Sequence, residues 1–132
     1  YNRETVIAEK FDAMVSLGRL NSRMKDFFDV WLLASTSDFS GADLSAAILA
    51  TFRRRGTELT AVPQAFEDDF LFDPSKQSQW TGFLKRMRAS EAPSTFSDAV
   101  ISIRAFLQPV HEALCSGDSF TMTWKHPGPW RQ

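Results

Sequence analysis

The 132-residue sequence predicts an all-α protein of five or six helices in a single domain. Apolar residues recur at spacings of three and four along most of the chain, which is the period of an amphipathic helix. Strand signals are weak, because there is no Asn-Gly or Asp-Gly hairpin turn and no long alternation of apolar and polar residues. A hydrophobic content of 43% and a charged content of 23% are typical of a globular domain with one core.

The first two helices, within residues 1–35, are expected to form an antiparallel hairpin. Helix one runs over residues 4–17, and Gly18 provides its stop signal. Helix two ends near Ser35 and is capped by one of two polar residues, Asn21 or Ser22. The connection between the helices is only three or four residues long, which favours an antiparallel arrangement.

A helical bundle is predicted over residues 36–116. Its four helices are expected at residues 42–55, 64–70, 74–88 and 96–115. Ser40 and Ser94 provide N-caps for the first and last of these, and Gly56 ends the first. Pro109 lies inside the last helix and predicts a kink or a local break.

The final segment, residues 117–132, is an aromatic and proline-rich tail. It is predicted to be loop, with a short extended piece over residues 120–124. Trp124 and Trp130 are expected to pack the tail onto the helices. The alternative is an exposed aromatic patch that stacks on bases or docks a partner.

Bulk properties exclude several classes of protein. The net charge of −1 excludes a domain that attracts nucleic acid as a whole, so any such contact needs a local patch. The single Cys115 excludes a disulfide framework and indicates a reducing cytoplasm. His111 and His126 have no partners at metal-ligand spacing and are interpreted as structural, so no metal ligand is assigned. No apolar run is long enough for a membrane span, and no membrane partner is expected.

Charged residues are concentrated in the predicted hairpin, with Lys10 on helix one and Arg23, Lys25, Asp26 and Asp29 on helix two. Spacing alone favours ordinary ion pairs on the helix surface, worth about 0.2–0.5 kcal/mol each. The functional alternative is that Lys10 and Arg23 bind phosphates. Asp26 or Asp29 would then orient them or act on a metal or a proton.

Two basic runs end predicted helices. Arg53, Arg54 and Arg55 end the third helix, where the helix dipole favours cations. Contact with RNA or a substrate backbone is the weaker alternative for these three arginines. The run over residues 85–88 has the same two interpretations.

The sequence contains the strings ETVIAEKF at residues 4–11 and NSRMKDFFD at residues 21–29. Together they resemble the two-part motif of the AbiEii/AbiGii family, which comprises nucleotidyltransferase-like toxins of bacterial type IV toxin–antitoxin systems. Shorter pieces at residues 50–57, 79–80 and 124–130 are similar to the C-terminal half of one bacterial branch of that family.

The resemblance implies that the chain is the C-terminal helical portion of a polymerase-β-like nucleotidyltransferase. Such enzymes transfer a nucleotide from an NTP to an acceptor hydroxyl. They hold Mg²⁺ and the NTP with a Gly-Ser element and an Asp-x-Asp pair, and neither occurs in the 132 residues. The chain begins at Tyr1 rather than Met. It is therefore expected to be a piece that lacks the N-terminal metal-binding half and is inactive alone.

The resemblance also implies roles for the charged residues of the hairpin. Lys10 would neutralise the triphosphate, and Arg23 and Lys25 would assist it or orient the carboxylates. Asp26 is the first choice for the catalytic carboxylate. Asp29 is the second, because it is expected to pair only with Lys25.

Mg²⁺ and an NTP are the cofactor and substrate implied for the parent enzyme, and neither is expected in the piece alone. The implied partners are the missing N-terminal half, a cognate antitoxin and an RNA acceptor. A non-catalytic helical module that binds protein or RNA is the alternative function.

Overall fold

The computed structural model describes residues 2–60 and 62–132. It contains six α-helices: α1 (Arg3–Leu17), α2 (Met24–Thr36), α3 (Gly41–Arg55), α4 (Asp68–Leu71), α5 (Pro74–Met87) and α6 (Phe96–Ser116). Two 3₁₀ turns lie at Gly18–Leu20 and Gln64–Phe66. Three two-residue strands complete the described chain: β1 (Phe39–Ser40), β2 (Thr123–Trp124) and β3 (Trp130–Arg131). The prediction of a mainly helical protein is confirmed.

The helices enclose one core rich in aromatic side chains. Helix α1 packs mainly against α3, and α2 packs mainly against α6. Phe27 of α2 meets Phe96 of α6 edge-on, with ring centroids 5.1 Å apart. Phe11 of α1 stacks on Phe66 with ring centroids 5.9 Å apart. Such aromatic pairs contribute about 0.5–1.5 kcal/mol beyond the burial of their area, so these rings hold α1 and α2 at fixed positions.

The start of α2 differs from the sequence prediction. Neither Asn21 nor Ser22 is the N-cap, because a 3₁₀ turn begins at Gly18 and lengthens the connection beyond the three or four residues expected. Arg23 is the residue preceding α2, and its side chain caps no backbone N–H. The Asn21 side chain instead accepts a hydrogen bond from the Arg23 backbone N–H at 2.8 Å. This bond fixes the backbone from which the Arg23 side chain projects.

Two further helix boundaries were predicted incorrectly. The single helix expected over residues 64–70 is a 3₁₀ turn and a one-turn helix, separated by Glu67 in an extended conformation. The last helix is capped by Thr95, not Ser94, because the Thr95 hydroxyl accepts from the Asp98 N–H. That helix continues through Pro109 without the local break considered from the sequence.

Helix α3 begins and ends as predicted. The Ser40 hydroxyl accepts from the Asp43 N–H at 3.3 Å, and Gly56 adopts the left-handed conformation with a φ of 70°. Only glycine adopts that conformation at little cost. These two caps fix where the arginines of the last turn of α3 lie.

The two strands of the tail pair with β1 in a small antiparallel sheet with the order β1-β2-β3, which the sequence did not predict. The predicted extended piece at residues 120–124 contains β2, whereas β3 was expected to be loop and no strand was predicted at β1. Trp124 donates to the Ala34 carbonyl at 2.7 Å, and Trp130 donates to the Phe106 carbonyl at 2.8 Å. Both rings are buried. The prediction that these tryptophans pack the tail onto the helices is therefore confirmed.

Candidate functional site

Lys10 of α1 bridges two carboxylates of α2. Its Nζ donates to Asp26 Oδ1 at 3.3 Å and lies 3.0 Å from Asp29 Oδ2. Arg23 Nε lies 2.9 Å from Asp26 Oδ2, and Lys25 Nζ donates to Asp29 Oδ1 at 3.0 Å. The five residues singled out from the sequence thus form one connected cluster, named here the Lys10 cluster.

The packing of α1 and α2 determines this arrangement. Ile7, Phe11 and Met14 bury one face of α1, so the neighbouring position of Lys10 lies at the edge of that face. On α2, Phe27 and Val30 are fully buried beside the two carboxylates. Because both helices are anchored by apolar residues adjacent in sequence, the charged groups have little freedom to separate.

The geometry changes the interpretation of the two aspartates. Asp29 was expected to pair only with Lys25, but it also contacts Lys10. Asp26 belongs to no ordinary surface ion pair, because it is only 3% exposed. Its Oδ2 is buried and has no hydrogen bond of good geometry, although Arg23 lies beside it. Arg23 itself keeps 60% of its side chain exposed.

The ionisation of Lys10 reflects these contacts. Burial acts to lower the pKa of Lys10, but the hydrogen bonds and charges of Asp29 and Asp26 outweigh it, so the pKa is raised above 10.5. Lys10 is therefore a fixed positive charge at neutral pH. With Arg23 and Lys25 it gives the cluster three cations against two carboxylates.

Two clefts meet at the Lys10 cluster, and Lys10, Arg23 and Asp26 line both of them. Cleft A, of about 410 Å³, lies along α1 and is also lined by Glu9, Asp12, Arg55 and three apolar residues, Val6, Ala13 and Leu17. Cleft B, of about 660 Å³, lies between the start of α2 and α5. The cluster is thus reached from two directions.

A second set of charges borders cleft A, and of its members the sequence analysis assigned only Arg54 and Arg55 a role, as candidate nucleic-acid contacts. Glu9 pairs with Arg54 and Arg55, the latter at 2.5 Å. Asp12, only 4% exposed, accepts a hydrogen bond from the Thr57 hydroxyl at 2.6 Å. Asp12 lies on α1 one turn after the buried Ala8, where a charged residue conflicts with burial. That conflict was the available sequence signal.

Two of the three arginines at the end of α3 therefore have ion-pair partners. Arg54 and Arg55 pair with Glu9, whereas Arg53 is exposed, and no hydrogen bond or ion pair of its side chain is found in the described part of the chain. All three lie in the last turn of α3, where the helix dipole favours cations. Their contact with nucleic acid stays a prediction.

The remaining candidates lie away from the cluster. His111 is fully buried against Phe11 and contacts the Thr60 carbonyl, and burial lowers its pKa. Burial likewise raises the pKa of Cys115, which disfavours the reactive thiolate. His126 contacts Asp38 beside the small sheet, and its backbone and side-chain hydrogen bonds lower the Asp38 pKa.

The Lys10 cluster does not fit a Mg²⁺ ion by itself. Mg²⁺ requires carboxylate oxygens free to coordinate it, but Asp26 and Asp29 are surrounded by three cations. Among residues 2–60 and 62–132, no group of three or more His, Cys, Asp or Glu side chains is arranged to hold a metal ion. None of the helices in those ranges has the length and apolar character needed to cross a membrane.

Comparison with known proteins gives one match. Residues 1–106 match the family-wide sequence profile described as nucleotidyl transferase AbiEii toxin, type IV TA system. No curated protein and no solved structure matches the chain. The matched range includes the whole Lys10 cluster, both clefts and all of the helices except the end of α6.

Proposed function

Because the chain belongs to the nucleotidyl transferase AbiEii toxin family, we propose that its Lys10 cluster binds the phosphates of an NTP during transfer of the nucleotide to an acceptor hydroxyl. The observation that carries the proposal is the position of Lys10, fixed by two carboxylates at the junction of two clefts. A type IV toxin also has a cognate antitoxin, so an antitoxin is the partner that family membership indicates.

The charges of the cluster suit a triphosphate. Lys10 is held in place by Asp26 and Asp29, so it offers a positive charge without losing side-chain freedom on binding. Arg23, largely exposed, is free to turn towards a phosphate and to bind two of its oxygens. Phosphoryl transfer is catalysed mainly by such positioning and charge stabilisation.

Asp26 is the carboxylate best placed for chemistry. When Arg23 turns to a phosphate, it uncovers Asp26 Oδ2, which lacks a hydrogen bond. Asp26 Oδ2 would then accept the proton of the acceptor hydroxyl while the hydroxyl oxygen attacks the α-phosphorus. A new P–O bond forms, the bond to the leaving pyrophosphate breaks, and Lys10 offsets the charge of the phosphate oxygens. Asp29 positions Lys10 through their contact at 3.0 Å.

Cleft A offers the space beside the phosphates for the nucleoside. Its three apolar residues, Val6, Ala13 and Leu17, provide a wall for a base. The three cations that line the cleft are balanced by three carboxylates. Since the cluster does not fit Mg²⁺, the metal-binding carboxylates of the reaction would come from another segment or chain. In that arrangement residues 1–132 would not transfer nucleotides alone.

The test is nucleotidyl transfer by the full reading frame that encodes this chain, measured with α-labelled NTPs, Mg²⁺ and total RNA as acceptor. Lys10→Ala and Asp26→Asn are expected to lower kcat/KM at least 100-fold. Lys85→Ala, an exposed lysine of α5, is the matched control and should retain activity. Activity equal to wild type in both cluster variants would refute the assignment. Binding of RNA without transfer by the wild type would favour the non-catalytic module.

A further inference from the structure

Lys76 on α5 is a buried cation that the proposed reaction does not use. It is only 6% exposed, and its Nζ donates to the Asn21 backbone carbonyl at 2.6 Å. The same Nζ lies 5.2 Å from the centre of the Phe70 ring. In the described part of the chain no carboxylate lies within ion-pair distance of Lys76, although the charge of Asp73 acts on it at longer range. Burying a charge without an ion pair is costly, so the position of Lys76 needs a reason.

The residue that Lys76 holds, Asn21, is itself buried at a cost. It is 1% exposed, and its Nδ2 has no hydrogen-bond partner among the described residues. A buried donor left unsatisfied destabilises the fold. Both oxygens of Asn21 have partners, since its backbone carbonyl accepts from Lys76 and its Oδ1 accepts from the Arg23 N–H at 2.8 Å. Asn21 thus connects α5 to the residue that precedes α2.

Helix α2 begins without a side-chain cap, so its first turn depends on contacts with other elements. Arg23 precedes the helix, and its side chain caps no backbone N–H. A helix without such a cap is less stable at its start, because the first N–H groups lack partners within the helix. The Lys76 bond joins this start to α5 across 55 positions of sequence. Through that bond, α5 holds the turn that carries Arg23 in a fixed place.

We propose that Lys76 is a positioning residue for Arg23: by holding the Asn21 carbonyl, it fixes the backbone from which the Arg23 guanidinium turns between Asp26 and a phosphate of the NTP. The inference rests on the proposed function, in which Arg23 binds that phosphate. With its backbone fixed, Arg23 needs only a side-chain rotation to reach the ligand, and 60% exposure leaves that side chain free to rotate. Backbone freedom that is already lost in the free protein is not lost again on binding, so the phosphate binds more tightly.

Calorimetric titration of the full-length protein with an NTP tests the inference, because it measures the dissociation constant and the binding-competent fraction separately. Lys76→Met retains most of the side-chain volume and removes both the hydrogen bond and the charge. It is expected to raise the Kd for the NTP about tenfold, the size of one lost charge-assisted contact, without changing the stoichiometry. A lower stoichiometry with an unchanged Kd would show that Lys76 only stabilises the fold, and it would overturn the inference.

A double-mutant cycle with Arg23→Gln distinguishes positioning of Arg23 from general loosening of the site. If Lys76 acts through Arg23, adding Lys76→Met to Arg23→Gln should change the Kd less than about twofold. Additive losses would overturn the inference, because Lys76 would then affect other contacts of the ligand. Asn21→Ala removes the Oδ1 bond to Arg23 but keeps the carbonyl that Lys76 holds. It should show the same non-additivity with Arg23→Gln, which keeps the inference testable if Lys76→Met does not fold.

Controls separate this inference from the proposed function. Lys85→Met removes an exposed charge of α5 and should keep the wild-type Kd. A nucleoside without phosphates should bind Lys76→Met and wild type equally, and a matching loss of nucleoside affinity would overturn the inference. Wild-type NTP affinity in Lys76→Met, with weaker binding in Arg23→Gln, would overturn the inference and leave the proposed function standing. Unchanged NTP affinity in both Lys10→Met and Arg23→Gln would instead refute the proposed function.

Discussion

Replacing Lys10 with methionine tests how strongly the bridge holds α1 to α2. The substitution retains most of the side-chain volume and removes the charge that contacts Asp26 and Asp29. Breaking a buried ion pair costs about 3–5 kcal/mol, and breaking an exposed one costs about 0–1 kcal/mol. The Lys10 side chain is 22% exposed, and each carboxylate keeps one other cation. A loss of about 2 kcal/mol in the free energy of unfolding is therefore expected.

The matched control is Lys25→Met on α2. The Lys25 side chain is 61% exposed, and its one ion pair among the described residues is with Asp29, which retains Lys10. Its loss should cost less than about 0.5 kcal/mol. Urea unfolding followed by tryptophan fluorescence measures both variants, with the m-value as a check that the denatured state is unchanged. A Lys10→Met cost equal to that of Lys25→Met would refute the argument that burial makes the bridge strong.

The stability difference between wild type and Lys10→Met should also depend on pH. The pKa of Lys10 is raised above 10.5 in the folded chain, so the folded state binds its proton more tightly than the unfolded state. The contribution is complete below about pH 10.5 and is lost as the pH rises through the folded pKa. A difference that stays constant into more alkaline solution would contradict this account.

Three further outcomes are expected from groups outside the cluster. Because burial lowers the pKa of His111, the unfolded state takes up its proton first. Stability should therefore fall as the pH drops below 6.5 towards the lowered pKa of the folded state. His111→Leu should flatten that fall, and an unchanged slope would exclude His111 as its cause. Lys76 is 6% exposed and donates to the Asn21 carbonyl at 2.6 Å. Lys76→Met should therefore cost about 1–3 kcal/mol in urea unfolding, and a cost as small as that of Lys85→Met would count against the bond. Alkylation of Cys115 by iodoacetamide at neutral pH should be slower than that of free cysteine, because its pKa is raised.

Helices could be predicted from the sequence where local signals agree. Ser40 and Gly56 delimit α3, and their side-chain and backbone requirements are local, so the boundaries were correct. The start of α2 was wrong because a 3₁₀ turn and the backbone role of Asn21 depend on packing against the 64–66 turn. The sheet was missed because its strands have two residues each and are defined by partners far away in the chain.

The sequence predicted which residues form the candidate site, but it did not predict all the contacts between them. The i, i+3 and i, i+4 spacings on α2 correctly indicated the pairs of Arg23 with Asp26 and of Lys25 with Asp29. Nothing in the spacing placed Lys10 between the two carboxylates, because that contact depends on how α1 packs against α2. For the same reason Lys76, on α5, could not be associated with Arg23 before the fold was known.

The order of nucleotide affinities tests the central claim most directly. The full-length protein would be titrated with a nucleoside and with its mono-, di- and triphosphate, in wild type, Lys10→Met and Lys85→Met. If Lys10 binds phosphates, affinity rises with each added phosphate in wild type and in Lys85→Met, and the rise is largely lost in Lys10→Met. The same rise in all three proteins would contradict the account, because the triphosphate would then bind elsewhere and the Lys10 cluster would only join two helices.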